Sequence, residues 1–335
     1  MVTLKELAQL AGVSTMTVSN VLNQRTDKVS PATREKIEAL VTQLHYVPNQ
    51  NARSLAGADS LLIAVIDYTE TVEDTQLVFS APFMAALISE LESAVRAAHH
   101  FMLVRHVNSV EEIALLQQNW QLAGLVIVGM APAYLAKVLA SVHVPVAFID
   151  TPITAIELKT LAPKQRVGVF ALDDAGGAKA AVAELLAGGA KHLGFLGYSF
   201  TATGVESRRL AGYREALQAS GEPVYVLPAG EAAFATVAWR AEHHQLDAVV
   251  TTADTLAAQL MAYLHAHTRL KIPQDLSIVG FDDQPFAAWM EMTTVAQDTA
   301  ARALAAVDFL TVSKTPLLLT TQPVKLIRRG TTRQP

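Results

Sequence analysis

Two kinds of apolar spacing divide the chain. Over residues 1–57 apolar positions recur at helical spacing in short bursts. Val18, Val21 and Leu22 lie at i, i+3 and i+4, and Ile37, Leu40, Val41 and Leu44 repeat the pattern further on. From Leu61 onward, apolar runs of strand length alternate with helical stretches. Leu62–Asp67, Met102–His106, Leu125–Gly129 and Val146–Asp150 form one series of strands. A second series follows with Val167–Leu172, His192–Gly197, Val224–Leu227, Ala248–Thr252 and Ser277–Phe281. Phe83–Ala98, Gly177–Leu186, Ser207–Ala219 and Leu256–His267 read as helices between them.

The helix boundaries of the first region are written in its polar residues. Thr3-Leu4-Lys5-Glu6 has the spacing of a capping box, in which hydroxyl and carboxylate each satisfy an orphan amide. That helix runs to about Ala11, and Gly12 supplies the turn. Ser14 caps a second helix, Thr15 to Leu22, and Ser30-Pro31 opens a third with Ser as cap and Pro in the first position. Three short helices with a glycine turn between the first two predict a helix-turn-helix, whose second helix enters the major groove. The same spacing fits an ordinary three-helix bundle. Asn49 to Ala56 reads as a further short helix, too brief to be stable alone.

Repeated β-α units in the second region predict parallel sheets with helices on both faces. The expected fold class is an all-α head followed by an α/β body of two doubly wound parallel-sheet subdomains. The expected boundaries are a head over 1–47, a hinge helix and linker over 48–60, and a body over 61–335. Within the body, one subdomain is expected at 61–160 plus 291–320 and the other at 161–290 plus 321–332. Ligands of such sheets bind outside the carboxyl ends of the strands, and interfaces between subdomains favour pockets.

Composition narrows the class. The chain has 335 residues, enough for two or three domains. It is 51% hydrophobic and 17% charged, which supports a large core and argues against disorder. It contains no cysteine, so disulfides and thiolate chemistry are excluded together. No signal peptide opens it and no apolar run is long enough for a membrane span, which fits a cytoplasmic protein. The net charge of −5 is uneven: residues 1–57 hold six Lys/Arg against four acids, +2, leaving −7 on the remainder. A basic head on an acidic body suggests that the head alone meets nucleic acid.

Signals for catalysis are weak. No Gly-x-Gly occurs, so neither a dinucleotide fingerprint nor a phosphate loop is available, and Gly-x-Ser-x-Gly is absent. The pairs His99-His100, His243-His244 and His265/His267 have no partner set for zinc. No cofactor, metal or enzymatic activity is expected. Candidate binding residues come from strand ends instead. Asp150 and Asp282 each terminate a predicted strand, and Arg209 opens a helix. Carboxylates accept from hydroxyls and a guanidinium donates through a planar fork, which suits a polyhydroxylated ligand. A strand-end aspartate is equally well a helix cap or turn residue, and Asp283 reads as structural. Phe83 and Trp289 have the shape to stack on a sugar ring, although core packing is the plainer expectation for each. The long loop Tyr68–Ala81, with Glu70, Glu73 and Asp74, is either a lid or a solvated insertion.

Specific runs carry a resemblance. Val2-Thr3-Leu4-Lys5-Glu6-Leu7-Ala8, Ala11-Gly12-Val13-Ser14, Thr17-Val18-Ser19 and Val21-Leu22-Asn23 resemble the DNA-binding head of the lac repressor family. Thr33-Arg34-Glu35-Lys36-Ile37, Tyr46-Val47-Pro48-Asn49 and Ala52-Arg53-Ser54-Leu55 extend the match through residue 57. The resemblance implies that Thr15, Met16 and Asn20 read base edges. It makes Thr3, Ser14, Thr17, Ser19, Asn23, Tyr46, Asn49 and Arg53 phosphate or positioning contacts, and Leu55 a minor-groove wedge. Many relatives carry Arg where Asn20 stands. Asn favours adenine and Arg favours guanine, so the half-site is expected to differ.

The body is similar to the same family more loosely, through Leu172-Asp173-Asp174, Arg209-Leu210-Ala211-Gly212-Tyr213, Ser277-Ile278-Val279-Gly280-Phe281-Asp282-Asp283 and Thr293-Thr294-Val295. This implies a periplasmic-binding-protein-like body in which Asp150, Arg209 and Asp282 contact an effector. Ala253 stands where many sugar-sensing relatives have Asn. The chain's end shows no leucine heptads, so a homodimer is expected on a pseudo-palindromic operator, acting as a repressor controlled by a sugar or sugar phosphate. The alternatives are a sugar-binding transport protein and a sugar-modifying enzyme on a related α/β scaffold.

Overall fold

A computed structural model describes residues 2–22, 25–46, 60–68, 81–161, 165–198, 204–218 and 225–334. The chain divides into two units, Met1–Ser60 and Leu61–Pro335. Asn23, Asn49, Arg53 and Leu55, the expected hinge helix and residues 69–80 of the long loop lie outside the described residues.

The first unit contains helices α1 (Leu4–Ala11), α2 (Thr15–Leu22) and α3 (Pro31–Gln43). Thr3 forms the capping box with Glu6, and Ser30 accepts from the Thr33 amide with Pro31 behind it. Gly12 ends α1 at φ 72°, a left-handed conformation that a β-carbon penalises. Leu7, Ala8, Ala11, Val18, Val21 and Ile37 are buried together, one apolar stripe from each helix.

The second unit carries two six-stranded sheets. Strands β1 (Leu62–Tyr68), β2 (Phe101–Val107), β3 (Gly124–Val128), β4 (Val146–Ile149), β5 (Val167–Leu172) and β11 (Leu317–Gln322) form the first, in the order β11-β5-β4-β3-β1-β2. Strands β6 (Leu193–Gly197), β7 (Tyr225–Pro228), β8 (Ala248–Thr251), β9 (Ser277–Asp282), β10 (Thr293–Ala296) and β12 (Lys325–Ile327) form the second, in the order β12-β10-β9-β8-β6-β7. All pairings are parallel except that of β12 with β10. Strands β3, β4, β6 and β8 are buried along their whole length, which is why they read as unbroken apolar runs. Helices cover both faces. For example, α4 (Pro82–Ala97) and α13 (Thr299–Thr311) close one face of the first sheet through Leu87, Leu91, Ala306 and Phe309.

The expected subdomain boundaries need correction. Strand β5 pairs with β4 and so belongs to the first sheet, which moves the first crossing from residue 160 to residue 173. Strand β10 pairs with β9 in the second sheet, so the second crossing falls at 297–298 rather than before 291. The third lies between β11 and β12 at 323–324. An apolar run does not announce which sheet it will join, because both sheets ask for the same buried strand.

The final residues thread back into the second lobe. Thr331 and Thr332 are buried. Thr331 accepts the Ile278 amide on its carbonyl at 2.8 Å and donates its hydroxyl to the Ile278 carbonyl at 2.7 Å. Arg328 pairs with the buried Glu184 at 2.6 Å.

Candidate functional site

In the head, α2 turns Val18 and Val21 inward and leaves a mixed polar face outward. Thr15 is exposed, Met16 is 68% exposed, and Thr17, Ser19 and Asn20 are half-buried. The Ser14 hydroxyl accepts the Thr17 amide at 3.1 Å and shares a 2.9 Å hydrogen bond with the Thr17 hydroxyl, so this pair fixes where the helix starts. Thr3 is engaged in the capping box through both its amide and its hydroxyl. Tyr46 rests against the helix core, and burial raises the pKa of its phenol.

In the body, the strand-end residues of both sheets converge. Asp150 follows β4 at φ 59°, and its Oδ1 accepts from Arg302 Nη1 at 2.6 Å. Asp282 ends β9 at φ 122°, a conformation that residues with a β-carbon rarely adopt. Its Oδ1 accepts from Gln297 Nε2 and lies 3.8 Å from Arg209 Nη1.

Strain at Asp282 persists because its surroundings over-determine it. Asp254, fully buried at the start of α11 (Asp254–His267), accepts the Gln284 amide at 2.8 Å and the Thr294 hydroxyl at 2.5 Å. Asp283 accepts from Arg329 Nη2 at 2.7 Å. The turn is thus held from the helix side and from the chain's last segment.

Arg209 is buried on α9 (Val205–Gln218). Its Nε donates to Asp174 at 2.9 Å, its Nη1 to the Thr252 carbonyl at 2.5 Å, and its guanidinium carbon lies 3.6 Å from the centre of the Phe281 ring. Asp174, at the start of α8 (Asp174–Ala187), also takes two hydrogen bonds from Arg208. The close approach of these helices depends on Gly212: a β-carbon there would come within 2.2 Å of the Ala175 carbonyl oxygen. A small residue on α9 therefore lets Asp174 reach Arg209.

Burial and charge pull the titrating groups in different directions. Burial works against the charge on Arg209, but Asp174, Asp282 and Asp150 outweigh it, so its pKa is raised. Asp282 is pushed up to about 7, by burial first; Arg209 opposes this, and Asp254 reinforces it. A carboxylate beside an arginine would ordinarily be depressed. Here the pair is 3.8 Å apart, without a direct hydrogen bond, and the guanidinium is committed mainly to Asp174, so desolvation dominates. Asp254 is pushed up to about 6, again by burial, against the stabilising bonds from Thr294 and Gln284.

The structure joins Asp150, Arg209 and Asp282 in one network and places Phe83 at its edge, half-buried with its ring centre 5.5 Å from the Arg302 guanidinium carbon. Ala253 caps α11 without a side-chain hydrogen bond, between Thr252, which holds Arg209, and Asp254, which holds the Asp282 turn. Trp289 does not pack in the core as expected: it ends helix α12 (Pro285–Trp289) and is 82% exposed. Asp174, Asp254, Gln297 and Arg302 were not evident as site residues in the sequence. For Arg302 a signal exists, a cation on the apolar stripe of α13 formed by Ala303, Ala306, Phe309 and Leu310. Among the described residues no helix is long and apolar enough to cross a membrane, and no group of three or more His, Cys, Asp or Glu is placed to hold a metal.

Comparison with known proteins covers both units. Residues 3–49 match the family model of bacterial regulatory proteins, lacI family, and residues 182–332 match the periplasmic binding protein-like domain. The chain is 31% identical to the HTH-type transcriptional regulator CelR of Thermobifida fusca over 97% of its own length and 95% of the relative's. It is 30% identical to the lactose operon repressor of Escherichia coli (strain K12), over 100% of this chain and 91% of that one. Among solved structures, the lac repressor dimer bound to operator and the anti-inducer ONPF superimposes with a TM-score of 0.79 at 25% identity, covering 99% of each chain. A CelR–cellobiose complex shares the fold at a TM-score of 0.66 and 24% identity, covering 99% of this chain and 100% of that one.

Proposed function

The chain belongs to the lacI family of bacterial regulatory proteins and is a transcriptional regulator, and from that premise we propose that it is a cytoplasmic, homodimeric repressor whose grip on operator DNA is set by a sugar-like effector bound at Asp150, Arg209 and Asp282. The observation that supports the effector reading most directly is the meeting of two strand-end carboxylates, one from each sheet. Each has Oδ1 engaged by the protein's own donors, and each stands beside a buried guanidinium. Two acceptors and two guanidinium groups, with the Phe83 ring beside Arg302, suit hydroxyl-rich ligands. These groups are committed to partners that hold them in place, so the site reads as one for recognition rather than turnover.

In the head, Thr15, Met16 and Asn20 are assigned to base edges, and Thr3, Ser14, Thr17, Ser19 and Tyr46 to phosphate or positioning contacts. A homodimer would present two copies of α2 to a pseudo-palindromic operator. An effector that binds one arrangement of the body better than the other would shift operator affinity by that difference and no more.

The test is selection of binding sites from random duplexes by the full-length protein, followed by footprinting with and without a panel of sugars and sugar phosphates. Cellobiose, bound by the relative CelR, belongs first in the panel. The expected result is a two-half-site footprint that weakens with one class of sugar, and the same sugar should raise the melting temperature. No protected site, or an operator affinity indifferent to every sugar that raises the melting temperature, would overturn the proposal.

A further inference from the structure

Gln297 lies where the chain passes from β10 of the second sheet to α13, which packs on the first. Its amide serves both lobes at once. Oε1 accepts from Arg302 Nη2 at 3.0 Å, and Nε2 donates to Asp282 Oδ1. The chemistry of its neighbours forces that orientation, because a guanidinium can only donate and a carboxylate in this pairing accepts. Arg302 completes the line by donating from Nη1 to Asp150 Oδ1. An unbroken run of charge-assisted contacts between protein groups therefore joins the strand end of one sheet to that of the other.

The position of Arg302 is costly, so what it holds there has to be accounted for. It is fully buried on the apolar stripe of α13, and its Nε has no hydrogen-bond partner among the described residues. An aliphatic side chain would satisfy α13 better on packing grounds alone. What Arg302 supplies that an aliphatic residue cannot is the simultaneous hold on Asp150 and Gln297.

We propose that Arg302 and Gln297 are positioning residues, forming a ligand-independent relay that fixes Asp150 of the first lobe against Asp282 of the second. An effector hydrogen-bonded to either carboxylate then acts on both lobes through the relay. The relay also shapes what can bind. With Oδ1 of both aspartates tied to protein donors, each carboxylate is presented to a ligand in a fixed orientation. The role in effector binding rests on the effector reading above; the coupling between Asp150 and Asp282 does not.

Amide hydrogen exchange of the full-length protein, without sugar or DNA, tests the coupling directly, because exchange reports local opening. Asp150→Asn weakens the relay in the first lobe. It is expected to speed exchange at residues 283–287 of the second lobe by about tenfold, the effect of losing one charged hydrogen bond. In a Gln297→Leu background the same Asp150→Asn change should leave 283–287 unaffected. Arg302→Lys keeps the charge but cannot span both partners, so it should speed exchange at 283–287 as Gln297→Leu does. Should Asp150→Asn fail to fold, Arg302→Lys and Gln297→Leu carry the test alone. Exchange that changes only in the first lobe, or an Asp150→Asn effect at 283–287 that survives Gln297→Leu, overturns the relay. A protein that shows the coupling yet binds no sugar would sink the effector reading while leaving the relay standing.

Discussion

Asp174 holds Arg209 by a different nitrogen from the one nearest Asp282: the carboxylate is fully buried and takes the Arg209 Nε hydrogen bond at 2.9 Å, whereas Nη1 lies 3.8 Å from Asp282. Asp174→Asn keeps the shape and removes the largest of the charges that together outweigh the burial of Arg209. The body should lose about 2 kcal/mol, the range for a hydrogen bond between charged groups. Affinity for an active sugar should fall at least about tenfold, since a misplaced recognition group forfeits roughly one such bond. Calorimetric unfolding and sugar titration read the two effects. An unchanged sugar affinity would show that Arg209 does not depend on Asp174 for its position.

Gly212→Ala should separate α8 from α9. The added carbon would meet the Ala175 backbone, which cannot swing away like a side chain. Overpacking of this kind costs about 1–3 kcal/mol or more. The melting temperature should fall, and sugar binding should weaken with it, because Asp174 and Arg209 sit on the two helices being forced apart. A variant that melts like the parent would mean the helices slide without loss.

Met16→Ala should leave the head's stability almost unchanged, since Met16 lies outside the buried cluster of Leu7, Val18, Val21 and Ile37. If Met16 contacts a base edge, operator affinity should fall by about 1–3 kcal/mol at fixed salt, most at a single base position. Gel shifts against operators substituted one base pair at a time supply the measurement. A uniform loss across all sequences would assign Met16 to positioning instead.

The buried carboxyls give stability a pH dependence of definite sign. Asp254 and Asp282 titrate near 6 and 7 when folded, raised from 3.8 chiefly by burial. The folded body therefore holds protons that the unfolded chain releases. Their contribution is whole below about pH 4 and is lost as the pH climbs through about 6 and then 7. Asp254→Asn should lessen the slope only up to about pH 6, and Asp282→Asn should lessen it throughout and remove what is left between about 6 and 7, measured by denaturant unfolding between about pH 4 and pH 8. Each variant carries its own cost in bonding, so the slope and not the absolute stability is the readout. Parallel slopes in parent and variants would contradict the assignment.

What could be read in the sequence followed the range of the interactions concerned. Thr3 with Glu6 and Ser30 with Thr33 are contacts across three residues, and their spacing announced α1 and α3. Alternation of strand and helix gave two parallel sheets. Which sheet β5 and β10 join was not legible, because pairing of β5 with β4 and of β10 with β9 depends on partners that a local pattern does not name. In the site, Asp150 and Asp282 stood out because strand ends are recognisable. Asp174 and Asp254 did not, since an aspartate opening a helix reads as an ordinary favourable charge at the helix start, and only the fold reveals what each one grips.

The threading of residues 325–334 through the second lobe bears on the order of events at the ribosome. The first sheet waits for β11 at its edge, and the second waits for β12 and for Thr331 against Ile278. During synthesis, then, each lobe emerges with an open side that closes only once residues 317–331 have been made. The small head has no such debt: its core is drawn from residues 4–46 and can consolidate while the body is still being made. A nascent chain stalled before β11 should therefore carry a folded head on a body with exposed sheet edges, the state in which chaperones would find it.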